Sequence, residues 1–181
     1  MLARGFRMLA GREALTRRND LEGFWVGQTL VTQVAYQRVK GASPSRFRGA
    51  QLPVEQVNWD SANSYCQANG GRLPTETEWE YAARGGTTGA RYGNLNEIAW
   101  YAANSAGTTH EVGKKAPNAF GLDDMLGDVW EWTSGWAMEG RSRARRGGSW
   151  SYSGKWARVS VRGEGDRGLD GLSIGFRFVQ D

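Results

Sequence analysis

GGSWSYSGKWARVSVRGEGDRGLDGLSIGFRFVQD, residues 147–181, carries a framework at both ends and a different kind of sequence in its middle. GGSW opens it, IGFRFV closes it, and the alternation Arg158, Val159, Ser160, Val161, Arg162 predicts a short strand over 157–162. The other positions are mostly Ser, Tyr, Gly, Trp, Asp and Glu without an apolar period. A segment fixed at both ends whose middle supplies little core reads as a binding face on a scaffold.

Upstream of this tail the local signals are helical first and extended later. Thr32 caps a predicted helix over 32–40 that Gly41 ends in the left-handed conformation, and Pro44 then keeps the chain extended. A second helix is expected from residues 58–60 to the stop at Asn69, Gly70, Gly71, with Trp59, Ala62, Tyr65 and Cys66 on one face. In LPTETE, residues 73–78, the Thr75 hydroxyl and Glu78 form a capping box, and the helix runs over 76–84 to Gly85-Gly86. Short strands are expected through Trp130 and Trp132, over 145–150, over 157–162 and over 175–179. Helices before strands define an α+β domain, not a parallel α/β sheet.

With 181 residues the chain suits one domain with a single core, residues 1–23 forming a peripheral N-terminal extension. Twenty-six glycines and nine tryptophans against four prolines favour short elements and long ordered loops over a helical bundle. Cys66 is the one cysteine, which excludes an intrachain disulfide and any multi-cysteine metal site. No segment has the length of a signal h-region or a membrane span; the expected location is cytoplasmic, or at a phage or cell surface through a partner. The net charge of +4 comes from 23 basic and 19 acidic residues, with Arg141, Arg143, Arg145 and Arg146 the densest cluster. No nucleic-acid-binding motif accompanies that cluster, which reads as a solvated loop.

The runs PVEQVNWDSANSYC (53–66), RLPTETEWEYAARGG (72–86), APNAFGLDDMLGDVWEWTSGW (116–136), RRGGSW (145–150) and IGFRFV (174–179) resemble, in order, the formylglycine-generating-enzyme-like domain. FWVGQTLVTQVAYQRVKGASPSRFRG, residues 24–49, is similar to its N-terminal portion. The resemblance implies a C-type-lectin-like fold with a small twisted antiparallel sheet, two main helices and extensive ordered loops. Fold alone leaves function open, because the family includes oxidases, iron-dependent sulfur-transfer domains and non-catalytic binders.

Formylglycine-generating enzymes hold copper on two cysteines just after the GGS element, a soft thiolate pair suited to Cu(I). The matching places here, three and eight residues beyond Ser149, are Tyr152 and Ala157. The related iron enzymes use three histidines, and His110 is the one histidine of this chain. Asp123-Asp124 and Glu76-Glu78 read as a turn and a helix start. No cofactor is required on this reading. The resemblance offers one structural metal, calcium, on main-chain oxygens of Leu126, Gly127 and Val129 with the carboxylate of Glu131. Asp128 stands where the family usually has asparagine, and Glu131 could equally pair with Arg158 or Arg177.

One branch of the family comprises variable proteins of diversity-generating retroelements, in which the stretch between GGSW and GFR is rewritten at adenine-containing codons. The tail resembles that branch in length and layout, with Arg158 and Arg162 as framework. The expected ligand-binding residues are Ser151, Tyr152, Ser153, Lys155, Trp156, Val161, Gly163, Glu164, Gly168, Gly171 and Ser173. Tyr152 and Trp156 supply rigid contact area and the serines supply adaptable hydrogen bonds. The expected partner is a macromolecular target, protein rather than carbohydrate, with no nucleic acid. The alternative is an oxidoreductase or accessory domain of the formylglycine-generating or nonheme-iron type.

Overall fold

A computed structural model describes residues 23–181 and the backbone of strand β1, Leu15–Arg17. The remainder of the expected N-terminal extension lies outside the described residues. The helices follow their sequence signals. In α1, Gln33–Lys40, the Thr32 hydroxyl accepts from the Ala35 N–H and Gly41 closes the helix at φ 83°. In α2, Trp59–Ala68, the Asn58 side chain caps Ser61, and Trp59, Ala62, Tyr65 and Cys66 are buried. In α3, Glu76–Arg84, the reciprocal capping box of Thr75 and Glu78 is present. A single turn, α4, spans Leu95–Ile98.

The strand expected through Trp130 and Trp132 is present and runs on to Met138, whereas the other expected strands are placed differently. The strands are β2 (Trp25–Gly27), β3 (Ala99–Trp100), β4 (Leu126–Gly127), β5 (Trp130–Met138), β6 (Ser142–Arg146), β7 (Arg162–Asp166), β8 (Ile174–Phe176) and β9 (Val179–Gln180). The main sheet has the order β7-β6-β5-β8, antiparallel except for the parallel β5–β8 pair. A second sheet, β1-β2-β9, joins the two ends of the described chain, and β3 pairs with β4 in parallel.

Three expected strands are corrected. The strand expected over 145–150 ends at Arg146, because Gly147 and Gly148 take φ of 95° and 81° and turn the chain away. The alternation at 157–162 is no strand: Val159 donates to Ala90 O and Val161 to Arg158 O, so the two valines turn inward from a loop. The final strand splits, β8 lying on β5 and β9 on β2, with Arg177 and Phe178 crossing between the sheets.

Strand β5 divides the interior by its period of two. Trp130 and Trp132, 1% and 0% exposed, enter a cluster with Tyr36, Tyr65 and Phe176 beneath α1 and α2. Between them Glu131 faces the other way and accepts from Trp79 Nε1 at 2.8 Å. Trp79 belongs to the second cluster, with Ala83, Leu122, Met125, Leu126 and Val159. Burial of one such ring contributes on the order of 3 kcal/mol. No described helix is long and apolar enough to cross a membrane.

Candidate functional site

Between β6 and β7 the chain runs as an irregular loop whose main chain is held from outside itself. Arg91 donates to the carbonyls of Ala157 at 2.8 Å and Gly154 at 2.6 Å. Ser105 Oγ donates to Trp150 O at 2.9 Å, and Ala102 N to Tyr152 O at 3.0 Å. Trp150 N donates to Asp128 O, and the indole of Trp150 donates to Leu172 O while its ring meets Phe47 edge-on. Arg146, buried against Glu80, also donates to Val159 O. These anchors fix the loop backbone and leave most of its side chains unused for folding.

The side chains that emerge form an aromatic step. Trp130, Tyr152 and Trp156 meet edge-to-face in all three pairs, with centroids 5.6, 6.2 and 5.9 Å apart. Trp130 is the buried base, Tyr152 is half-buried and Trp156 is 36% exposed. Lys155 Nζ lies 5.8 Å from the Trp156 ring. Arg145, on β6 opposite Gly163 of β7, brings its guanidinium 5.3 Å from the centre of Trp130. A Cβ on Gly163 would stand 3.1 Å from Arg145 Nε and 3.2 Å from Trp130, so this glycine lets β7 cross the pair closely.

The expected binding residues divide into groups. Ser151, Ser153, Lys155, Trp156, Glu164 and Gly168 are exposed, whereas Tyr152, Val161, Gly163, Gly171 and Ser173 are half-buried. Val161 and Tyr152 pack against the first core cluster. Ser173 and Gly171 use backbone carbonyls to receive Trp130 N and Gln56 N. The single exposed face expected for Tyr152, Gly163 and Gly171 together with the others is therefore corrected to an exposed rim over a half-buried floor. Of the two framework arginines, Arg162 pairs with both oxygens of Glu76 at 2.7 Å, and Arg158 is exposed without an ion pair among the described residues.

Sequence reasoning missed Arg145 and a stack two residues along β6 on the same face of the sheet. There Arg143 lies over the rings of both Trp136 and Trp59, 3.5 and 3.8 Å from their centres, and Arg167 stands 5.3 Å from the centre of Trp59. Trp136 and Arg143 face each other across β5 and β6. The only sequence signal was the density of arginine at 141–146, which reads as a loop until its register on β5 is known.

The calcium ligands named from the resemblance fall in and beside β4 and β5. As arranged they offer the ion no carboxylate: Arg177 Nε donates to Glu131 Oε2 at 3.1 Å, its NH2 to Oε1 at 3.1 Å, and Trp79 shares Oε2. Among the described residues no three His, Cys, Asp or Glu side chains gather to hold a metal. Leu126 and Val129 are buried core residues, and Gly127 at φ 83° is pressed against Trp100, whose carbonyl a Cβ would approach to 2.2 Å.

A small twisted sheet, capped helices and a long C-terminal loop pinned by main-chain bonds define a C-type-lectin-like domain. The chain belongs to the family described as sulfatase-modifying factor enzyme 1-like domains, which matches residues 3–181. It is similar to variable protein 1 of Treponema denticola, at 29% identity and a TM-score of 0.85, covering 95% of this chain and 93% of that one. Chaperone protein LppX of Paenibacillus barcinonensis is 30% identical over 88% of this chain and 81% of its own length. The formylglycine-generating enzyme of Streptomyces coelicolor is 32% identical over 81% of this chain, which spans only 58% of that enzyme.

Proposed function

We propose that the protein is a non-catalytic binder of the variable-protein type, displaying residues of the 150–174 segment on a rigid C-type-lectin-like scaffold toward a macromolecular target, a protein. The observation that carries this reading is the separation of roles in the loop: Arg91, Ser105, Arg146 and backbone groups hold its main chain, while Ser151, Ser153, Lys155, Trp156 and Glu164 project from it. Such a loop bears its ordering cost before the target arrives. The likeness to the Treponema denticola variable protein over nearly the whole of both chains supports the same reading.

The formylglycine-generating relatives favour an oxidase, but the two positions that the resemblance assigns to copper-binding thiols carry other groups. Tyr152 packs on Trp130 and Ala157 is buried at 1% exposure. Cys66, the one thiol, is buried in the cluster under α1 and α2. Neither a phenol nor a methyl group can take the place of a thiolate for Cu(I). No metal or cofactor is needed for the binding role proposed, and nothing in the described fold requires a membrane span.

Nucleotide sequence tests the variable-protein reading. A near-identical repeat of the 150–174 coding segment, beside a reverse transcriptase gene and differing from it at adenines, is the expected finding. A single copy with no such repeat would return the chain to an ordinary binder or enzyme of its family.

A further inference from the structure

Arg145 is a partly buried cation at this face that meets the Trp130 ring and the Tyr152 hydroxyl but no carboxylate within ion-pair distance among the described residues. It is half-buried, its Nε is buried without a hydrogen-bond partner, and it forms no ion pair among the described residues. Its neighbours on the sheet are better matched: Arg146 pairs with Glu80, Arg162 pairs with Glu76, and Arg143 lies against two tryptophan rings and donates to Ser134 O. Burial pushes the Arg145 guanidinium below its ordinary value, and the Tyr152 hydroxyl and the charge of Glu164 offset only part of that cost. Glu164 is exposed and directs a carboxylate oxygen to Ser142 Oγ at 3.4 Å.

A partly desolvated cation held against an indole is stabilised when an anion reaches its open edge, since removing water strengthens the pairing. Gly163 lies close to Arg145 Nε, the Tyr152 hydroxyl reaches the guanidinium, and Tyr152 meets Trp156 edge-to-face. Lys155 and exposed Arg158 add positive charge at the rim. Resting on the binding reading above, we infer that Arg145 is a fixed anchor beneath the displayed residues and takes a carboxylate from an acidic protein segment, whose neighbouring apolar group rests on Tyr152 and Trp156. Because Arg145 lies on β6, outside the 150–174 segment, this preference for acidic targets stays with the scaffold when the tail residues change.

The test uses the full chain labelled with 15N, following the indole N–H resonances of Trp130 and Trp156. The probes are a blocked hexaglutamate peptide, a blocked hexalysine peptide and inorganic phosphate. Hexaglutamate should shift both resonances, Arg145→Gln should weaken it about tenfold or more, and Arg141→Gln, at an exposed site on the same hairpin, should change it less than about twofold. The melting temperature of Arg145→Gln should equal or exceed the parent's, because no ion pair is lost. Should that variant unfold, Arg145→Met, which keeps the aliphatic stem on Trp130, is measured in its place.

Equal weakening by Arg141→Gln would mean diffuse charge attraction and overturn the inference. Phosphate binding as tight as hexaglutamate, or binding of hexalysine, or no shift with any probe, would overturn it as well. Weakening by exchange of Ser151, Lys155 and Trp156 with none from Arg145→Gln would overturn the anchor and leave the display reading standing.

Discussion

Arg177 and Glu131 form a salt bridge from which water is excluded, with side chains 0% and 1% exposed. The pair ties the crossing between β8 and β9 to the start of β5. Arg177 spends its remaining donors on the carbonyls of Gly27, Gln28 and Asp123, so one guanidinium gathers four segments of the chain. A buried pair is weak evidence of net stabilisation, but loss of one partner strands the other charge in a dry site. Glu131→Gln or Arg177→Met should therefore each cost about 3–5 kcal/mol in urea denaturation. Added calcium should leave the melting temperature of the parent unchanged, because Glu131 is committed to Arg177; a calcium-dependent rise would show that the ion displaces the arginine.

The three rings of the aromatic step should separate sharply by depth. Trp156→Ala should cost no more than about 1 kcal/mol, the scale of an edge-to-face contact. Trp130→Ala and Trp132→Ala should each cost on the order of 3–5 kcal/mol, as for other large core aromatics. Equal costs for Trp156 and Trp130 would place Trp156 in the core and remove it from the binding rim.

Glu55 gives the stability a pH signature. It is fully buried, Oε1 accepts from the backbone of Arg46 and Phe47, and Oε2 has no partner. Burial outweighs those bonds and the charge of Arg48, and raises the carboxyl above its usual range. The folded state thus holds this proton more tightly than the unfolded state does. The stability that goes with it is full below the unfolded value and is lost as pH rises through the folded one. Glu55→Gln should exceed the parent by on the order of 1 kcal/mol at pH 8, and the gap should close toward pH 4. A gap independent of pH would show that Glu55 titrates alike in both states.

The chemistry proposed to be absent has its own assay. With Tyr152 and Ala157 at the positions of the thiol pair, the copper-loaded protein should oxidise a cysteine peptide no faster than the protein in chelator. Copper-dependent turnover would reassign the chain to the oxidases of its family.

Much of the helical half was legible because capping is local: Thr32, Asn58 and Thr75 announce their helices within a few residues. The strands were less so, since a period of two records only which way side chains point. Val159 and Val161 point inward from a loop bonded to Ala90, and no local pattern distinguishes that from a strand. Residue type correctly marked Ser151, Ser153, Lys155, Trp156 and Glu164 as outward. It could not mark Arg145, whose lack of a carboxylate partner depends on which arginine of the 141–146 cluster reaches Glu80. Gly163 shows the same limit: it looks like a freely variable turn residue, yet any side chain there meets Arg145 and Trp130.

The central claim is that the rim can change while the scaffold stands. Ser151, Ser153, Lys155, Trp156 and Glu164 are exchanged together for random small, polar or aromatic residues, and thermal unfolding is followed by circular dichroism across a panel of variants. Surface substitutions cost within about 0.5 kcal/mol each, so most of the panel should stay folded and melt within several degrees of the parent. Loss of the folded state in most of the panel would mean that these side chains hold the domain together, and the reading of residues 150–174 as a replaceable binding face would fail.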